Sequence, residues 1–355
     1  MNNIISLHGS YFGDNYGDTL LMNLFSTWVK EFDSALVVNM PLAKHCTAVD
    51  LKCDTKDFFP LFRAKGLVFC GGGYFGEQPV NPHRWAKRNF FRHALLGLFA
   101  ILFHKPYAII GVEFGPISVS WFRKVCVYIA KHAKVVVVRN RQSVSFLEQN
   151  GVHNVKLSYD AVLSLSDIYN PIQTKNQEKQ ILLHFNGLKI SSDELRNIIT
   201  KICDAAAHSL EKYKFYFISD SKTSVYDTPK FQSIFLYLSN NDVPYKVIDY
   251  QTCNSLISII NNSDFIFTNK LHVGITAASL NKRVFSLWTH PKTERLHSQI
   301  HNGDFCMALS KFETLNVDSI LYSFFKSSSY TLPQEVKTTA LVNKIQLYGF
   351  LKSIL

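Results

Sequence analysis

Two lysines and a histidine lie where predicted strands give way to predicted helices in the second half of the chain. Lys270 and His272 follow the predicted strand 265–268, and Lys292 comes just after the predicted strand 283–287. In open parallel sheets this edge binds ligands, and the N–H groups of helix N-termini there favour anions. An imidazole in such a place can move a proton beside a negatively charged ligand. These residues therefore predict anion binding combined with acid–base chemistry.

An arginine has a comparable position in the first half of the chain. Arg139 follows four consecutive valines, 135–138, and opens a predicted helix. A guanidinium at the carboxyl end of a buried strand can bind a carboxylate or a phosphate bidentately. Surface salt-bridging is the alternative, and it suits Arg141 better than Arg139.

Two glycine-containing loops each follow a predicted strand. They are 13–18, Gly-Asp-Asn-Tyr-Gly-Asp, and the three glycines 71–73. Glycines permit tight turns and a close approach of backbone to ligand, but the first loop is not the GxGxxG of dinucleotide binding. A turn with Asp18 as helix N-cap would explain the first loop, while Asn15 is a ready polar contact. For the glycines 71–73, a tightly packed turn and a backbone that passes close to a ligand are equally good explanations.

The histidines do not suggest a metal site. His272, His290 and His297 lack the close spacing of a ligand set, and no carboxylate-rich cluster accompanies them. We therefore assign no metal. We also expect no cofactor.

The composition is that of a globular, basic chain. Of 355 residues, 47% are hydrophobic and 18% charged, and the formal net charge is +11. This charge favours an anionic partner, such as a phosphorylated substrate or acidic lipid. Nucleic acid is disfavoured, since zinc-finger spacing, an RNA-recognition signature and a long Lys/Arg block are all missing. The seven cysteines form no CxxC pair and the N-terminus lacks a signal-peptide pattern, so we expect a cytoplasmic location.

The segment 83–103 joins a basic, aromatic first half to an apolar second half, 94–103. The apolar run is shorter than the roughly 20 residues that a bilayer span needs. A helix buried against the sheet is the favoured explanation, and an interfacial helix on anionic lipid is the alternative. Both hold if the basic half lies outside while the apolar half packs inside.

Strands and helices alternate along most of the chain, which predicts parallel α/β sheets. We expect a first domain over 1–168, a polar linker over 169–179, a second domain over 180–312, and helices over 313–355. The predicted fold is thus α/β, with two Rossmann-like domains facing across a cleft where a ligand binds.

Taken in order, these motifs resemble the polysaccharide pyruvyl transferase family. The resemblance spans residues 4–295 and rests on the loop 13–18, the glycines 71–73, the segment 111–116, Arg139 with Ser143, Asp160, and the stretch from Ser263 through His272 to Lys292. It implies a GT-B-like fold with the acceptor on the first domain and phosphoenolpyruvate on the second. It also implies transfer of pyruvate to two hydroxyls of a sugar in a surface polysaccharide, often lipid-linked at the cytoplasmic membrane face, giving a pyruvate ketal and free phosphate.

The resemblance also implies roles for individual residues. His272 would be the acid/base, and the residues binding phosphoenolpyruvate would be Arg139, Lys270 and Lys292. The acceptor would meet Asn15, Gly73 and Tyr74. This chain departs from the family's usual residues at Lys270 (commonly Arg), Asn140 (often Asp) and Glu113 (frequently Gln-like). The lysine keeps the charge but loses the bidentate fork of arginine.

Two other functions remain compatible with the sequence. A GT-B glycosyltransferase with a nucleotide-sugar donor would need a carboxylate for the ribose, and Glu294 is the nearby candidate. A non-catalytic glycan- or lipid-binding scaffold would need residues 83–103, but neither His272 nor Lys292.

Overall fold

The computed structural model describes residues 3–13, 15–43, 50–76, 80–169, 178–185, 190–221, 226–289, 291–314 and 316–355. The chain divides into two compact units. One unit comprises Met1–Ser164 with Thr338–Leu355, and the other comprises Leu165–Lys337.

The first unit is built on a parallel sheet. Its strands are β1 (Ile4–His8), β2 (Val37–Asn39), β3 (Gly66–Cys70), β4 (Tyr107–Val112), β5 (Val135–Val138) and β6 (Val155–Leu157). They pair in the order β2-β1-β3-β4-β5-β6. Strands β3 and β4 are buried along their whole length, as expected where helices cover both faces of a parallel sheet.

Helices of the first unit connect these strands. They are α1 (Tyr16–Phe32), α2 (Pro60–Arg63), α3 (Pro82–Asn89), α4 (Leu95–Leu102), α5 (Ser120–His132) and α6 (Arg141–Gln149). A π-helical turn, Phe90–Ala94, joins α3 to α4, so the helix predicted around 84–103 forms with an irregular middle.

The second unit repeats this architecture. Its strands are β7 (Lys179–His184), β8 (Tyr213–Ile218), β9 (Tyr245–Ile248), β10 (Phe265–Thr268), β11 (Arg283–Trp288) and β12 (Cys306–Ala308). They pair in parallel in the order β12-β11-β10-β7-β8-β9. Its helices are α7 (Ser192–Ser209), α8 (Pro229–Asn240), α9 (Cys253–Asn262), α10 (Leu271–Ser279), α11 (Pro291–Gln299), α12 (Leu309–Thr314) and α13 (Asp318–Lys326). The predicted α/β alternation is confirmed in both units.

Each unit has its own hydrophobic core between sheet and helices. In the first, Phe69 and Ile109 are fully buried on neighbouring strands. In the second, the ring of Phe267 lies 5.5 Å from that of Phe285 and 5.1 Å from that of Phe324 on α13. Burying one such side chain is worth about 1.5–3 kcal/mol, so these cores hold the strand ends in place.

The last helix, α14 (Gln334–Lys352), packs mainly in the first unit. The helices expected as one block over 313–355 are therefore divided between the units. Asn343 of α14 donates a hydrogen bond to the carbonyl of Tyr159 at 2.9 Å, and Phe350 is buried. Residues 170–177 of the predicted linker lie outside the described residues.

Two further observations concern the chain as a whole. Across the described ranges, no helix is both long and apolar enough to cross a bilayer. The six described cysteines are free thiols.

Candidate functional site

Lys270, His272 and Lys292 lie at the carboxyl ends of two neighbouring parallel strands, β10 and β11. Lys270 is the N-cap residue of α10, and His272 lies in the first turn of that helix. Lys292 lies in the first turn of α11, shortly after β11. All three residues are half-buried. Two helix N-termini and two ammonium groups concentrate positive charge at this edge, which suits an anion.

A second histidine, not selected from the sequence, ends the adjoining strand. His184 of β7 stands opposite Thr268 of β10, and its Nδ1 lies 3.1 Å from Thr268 Oγ1. Its Nε2 lies 3.7 Å from Oδ1 of Asp220, and the ring is fully buried. Thr268 Oγ1 also accepts the amide hydrogen of Lys270 at 3.0 Å. This chain of contacts fixes the backbone where α10 begins.

His297 has structural partners instead. Its Nε2 lies 2.8 Å from Ser286 Oγ, and its Nδ1 lies 3.1 Å from the carbonyl oxygen of Asn302. Burial lowers the pKa of His297 to about 4, so the ring is neutral at ordinary pH and ties α11 to β11. His290 lies outside the described residues. Within the described ranges, no group of three or more His, Cys, Asp or Glu side chains could hold a metal ion.

In the first unit, Arg139 lies between two carboxylates. Its Nη2 is 2.6 Å from Glu113 Oε2 and its Nη1 is 3.0 Å from Asp160 Oδ2. The three side chains are only 8–9% exposed. Burial lowers the pKa of Arg139, but Glu113 and Asp160 outweigh that effect and raise it above its usual value. Arg139 therefore ties together the segments that follow β4, β5 and β6.

The N-terminal end of α6 supports this arrangement. Asn140 caps the helix by accepting the amide hydrogen of Ser143 at 2.8 Å. The hydroxyl of Ser143 accepts from the amide of Phe114 and donates to the carbonyl of the same residue, both at 2.8 Å. These bonds hold Glu113 beside Arg139.

Asp18 interacts electrostatically with this cluster from the first turn of α1. Burial raises the pKa of Asp18 to about 7; Arg139 opposes the rise and Asp160 adds to it. The carboxyl group can therefore accept or donate a proton near neutral pH. The expectation that Asp18 caps α1 is wrong, because the Asn15 side chain accepts from the amides of Gly17 and Asp18 at 2.9 and 3.3 Å.

The three glycines after β3 form a tightly packed turn. Gly71 and Gly72 have φ values of +52° and +83°, a region that favours glycine. A Cβ on Gly71 would lie 2.9 Å from the side chain of Leu21. Packing accounts for these two positions, and the following Gly73 is half-buried.

Tyr74 is a buried ring rather than an exposed one. It is 2% exposed and stacks on His93, with ring centroids 4.3 Å apart. His93 Nδ1 in turn lies 2.9 Å from Nε2 of His8, and His8 Nδ1 lies 2.8 Å from the Tyr11 hydroxyl. Burial raises the pKa of Tyr74 well above its usual value and lowers that of His8 to about 3. The cluster is therefore neutral at physiological pH and supports the loop after β3.

A family model described as polysaccharide pyruvyl transferase matches residues 15–291 of the chain. The chain belongs to the polysaccharide pyruvyl transferase family. It is therefore a transferase, and the predicted resemblance is confirmed. The match includes Arg139, Lys270 and His272 and ends one residue before Lys292.

Solved structures of other proteins share the fold. The UDP-GlcNAc 2-epimerase of Methanocaldococcus jannaschii is similar with a TM-score of 0.60 at 10% identity, over 98% of this chain and 100% of that one. The Neisseria meningitidis UDP-GlcNAc 2-epimerase, bound to UDP-GlcNAc, gives 0.56 at 10%, over 97% and 99%. The S. aureus MnaA–UDP structure gives 0.56 at 13%, over 99% and 98%. At such identities the likeness shows the fold alone: two Rossmann-like domains of the GT-B type, as predicted. No curated protein matches the chain.

The structure distributes the predicted site residues over both units. The second unit holds Lys270, His272 and Lys292 at one edge of its sheet. The first unit holds Arg139, Asn15, Gly73 and Tyr74. His184 could have been found by the rule that selected His272, since it ends an apolar strand. The elevated pKa of Asp18 could not have been predicted from the sequence, because it depends on burial and on partners more than 100 residues away.

Proposed function

We propose that this pyruvyl transferase moves pyruvate from phosphoenolpyruvate onto two hydroxyls of one sugar in a surface-polysaccharide acceptor. The products are a pyruvate ketal and inorganic phosphate. The observation that carries the proposal is the grouping of Lys270, His272 and Lys292 at the ends of β10 and β11 in a chain of this family. Phosphoenolpyruvate carries a carboxylate and a phosphate, which two ammonium groups and two helix N-termini complement.

The reaction balances without any other reactant. The C3 methylene of phosphoenolpyruvate takes up a proton and becomes a methyl group, while the first sugar oxygen bonds to C2. The C2–O bond to phosphate then breaks, and the second sugar oxygen bonds to C2. The two protons lost by the hydroxyls are matched by one on the methyl carbon and one on the released phosphate.

In this scheme most of the residues that act on the donor belong to the second unit. His272 donates a proton to C3, and Lys270 and Lys292 bind the carboxylate and the departing phosphate. Phosphoenolpyruvate is a donor substrate, and the scheme uses no cofactor and no metal.

The first unit handles the acceptor in this scheme. Asp18, with its pKa near 7, accepts a hydroxyl proton. The glycan meets Asn15 and Gly73, while the buried Tyr74 supports the loop that carries Gly73. Arg139 remains a proposed ligand of phosphoenolpyruvate, which it would bind while tied to its two carboxylates. We place the reaction in the cytoplasm at the inner membrane face, with a lipid-linked oligosaccharide as acceptor and segment 83–103 as the membrane contact.

Turnover with phosphoenolpyruvate tests the proposal. Phosphate release in the presence of lipid-linked glycans, with mass spectrometry showing a pyruvate ketal on the glycan, is the expected result. A thermal-shift comparison addresses the donor, because a ligand that binds the folded state raises Tm. Stabilisation by nucleotide sugars but not by phosphoenolpyruvate would favour a glycosyltransferase instead.

A further inference from the structure

Nearly all of the excess positive charge comes from one stretch of the first unit. Residues 80–147 contain eleven of the 38 Lys and Arg residues but one of the 27 Asp and Glu residues, so their net charge is +10 out of the chain's +11. The one carboxylate, Glu113, is buried against Arg139 and does not offset surface cations. So concentrated a charge attracts an anionic surface.

The cations of α3 and the π-helical turn form an exposed cluster. Arg84, Lys87, Arg88 and Arg92 are all exposed. Partial burial, followed by the charges of Arg92 and Arg84, lowers the pKa of Arg88, so these guanidinium groups lie close enough to repel one another. In the part of the chain that the structure describes, none of the four pairs with a carboxylate. An external anionic surface would relieve this repulsion.

Large apolar side chains are exposed in the same part of the first unit. Among the described residues, nine of the twelve exposed large hydrophobic side chains lie between Phe59 and Tyr128. Phe59, Phe91 and Leu102 are 80%, 67% and 72% exposed. Exposed apolar side chains that lie together, unlike single scattered ones, mark interaction surfaces.

Ring contacts connect two of these exposed side chains to half-buried rings of neighbouring elements. Phe62 of α2 lies 5.2 Å from Phe99 of α4. Trp121 of α5 lies 5.6 Å from Phe90 of the π-helical turn. We call the exposed side of α2, α3, the π-helical turn, α4 and the first turn of α5 the basic–aromatic face.

The opposite side of α4 is part of the core. Leu96 and Ala100 are buried, whereas Leu95 and Leu102 are exposed. The apolar half of 83–103 thus packs inside on one side and is exposed on the other, so the exposed side chains stand on a rigid support.

We propose that the basic–aromatic face docks on the surface of an anionic lipid bilayer, through contacts well beyond the segment 83–103. Its cations would lie at the headgroups, and its exposed phenylalanine, leucine and tryptophan side chains would enter the boundary between headgroups and acyl chains. A second copy of this chain is a poor occupant, because two faces of the same charge repel. The proposal concerns binding alone and does not rest on the pyruvyl transfer reaction.

Flotation of the purified full chain with vesicles tests the proposal. We expect the protein to float with vesicles of phosphatidylcholine containing phosphatidylglycerol, to remain behind with phosphatidylcholine alone, and to dissociate as salt rises. Reversing three charges, in Arg84→Glu/Lys87→Glu/Arg88→Glu, lowers the vesicle partition coefficient at least about tenfold, since each cation near such a surface contributes substantially. Phe91→Ser/Leu102→Ser lowers it similarly. Phe59→Ser/Trp121→Ser, which changes two exposed residues outside 83–103, lowers it as well.

Matched variants separate this face from the rest of the surface. Lys212→Glu/Lys246→Glu/Lys352→Glu has the same charge change elsewhere, and Leu236→Ser/Ile345→Ser replaces two other exposed apolar residues; both should bind vesicles nearly as the unaltered chain does. Equal vesicle binding by the face variants and their controls overturns the proposal. It is also overturned if light scattering without lipid shows self-association that Phe91→Ser/Leu102→Ser abolishes while vesicle binding is unchanged.

Discussion

His272 and His184 both lie at the carboxyl ends of strands, but their surroundings suit different tasks. His184 is fully buried, with Thr268 on one nitrogen and Asp220 near the other. His272 is half-buried in the first turn of α10. These surroundings fit the proposed role of His272 in proton transfer, and we propose that His184 positions the N-terminus of α10.

Replacing His272 should remove turnover but not the fold. His272→Ala is expected to lower kcat about 10²–10⁴-fold, the usual contribution of a general acid or base. Its Tm should stay close to that of the unaltered chain. His297→Ala is the contrasting variant, because it removes buried bonds to Ser286 and Asn302 and should lower Tm. Retention of full activity by His272→Ala would refute the assigned role.

Replacing His184 should act on binding more than on chemistry. His184→Ala leaves Thr268 with fewer partners and loosens the backbone at Lys270, so KM for phosphoenolpyruvate should rise about tenfold, a loss typical of one buried hydrogen bond to a charged or positioned group. The pH dependence of kcat should not move. Steady-state kinetics across pH provides both readouts, and a shifted kcat profile would instead implicate His184 in proton transfer.

Asp18 should make stability depend on pH. Its pKa is about 7 in the folded chain against 3.8 unfolded, so above pH 3.8 the unfolded state binds fewer protons and folding stability falls as pH rises towards 7. Asp18→Asn removes this penalty, which is at most about 4 kcal/mol. Relative to the unaltered chain, the variant should gain stability between pH 4 and pH 7, as measured by urea unfolding. A pH-independent difference would contradict the raised pKa.

At the scale of elements, the loops after β4, β5 and β6 are held together by one guanidinium. Arg139 binds Glu113 and Asp160, and Ser143 ties the start of α6 to Phe114. The first unit therefore places a prebuilt group of charges at the edge of its sheet, with Asp18 in electrostatic contact.

Removing the ion pairs of Arg139 should lower the free energy of unfolding. Arg139→Met leaves two buried carboxylates without their cation, and such losses destabilise proteins by about 3–5 kcal/mol. Urea unfolding should show the decrease, and adding Glu113→Gln to Arg139→Met should restore part of it, because one stranded charge is then removed. If the double variant is the less stable of the two, the carboxylates do not depend on Arg139 in this way.

Elements with a strong local pattern were predictable from the sequence. Strand β10 has the bounds that its apolar run predicts, β5 consists of the four valines, and β11 extends one residue beyond the predicted 283–287. The elements within 291–314 were not predicted. There β12 is three half-buried residues long, too short for a periodic pattern, and it forms because β11 lies beside it. The ion pairs of Arg139 were not predicted for a similar reason. Glu113 and Asp160 contact it because β4, β5 and β6 are neighbours in the sheet, and their order is not visible in the sequence.

At the scale of the whole molecule, the chain builds two units but enters the first one twice. The final helix packs with residues 1–164, with Leu347, Phe350 and Leu351 buried. A Cβ on Gly66 would lie only 2.5 Å from Ile354 and 3.0 Å from Phe350, so this contact is close. No local pattern reveals that return, because it depends on partners far away in the sequence.

A chain that stops after Lys337 should retain the second unit and lose the first. Removing 338–355 uncovers the apolar surface of β3 and its neighbours, so hydrogen exchange should accelerate throughout 1–164. Protection in β7, β8 and β10 should persist, because their unit is complete without the removed residues. The variant Ile345→Ser, which changes an exposed residue of α14, is the control for damage unrelated to packing. Unchanged exchange in 1–164 would show that α14 is dispensable.

The same return of the chain sets an order of events during translation. The first unit emerges from the ribosome without its last helix, and the residues between Ser164 and Thr338 must be synthesised before that helix appears. At about 5–20 residues per second, the wait is roughly 10–35 s. Throughout that time the nascent first unit exposes the apolar strip that α14 later covers. The second unit can fold as soon as its own last residues have emerged. The first unit therefore begins synthesis before the second but completes its fold after it. Chaperones that bind exposed apolar surface would act on this unit.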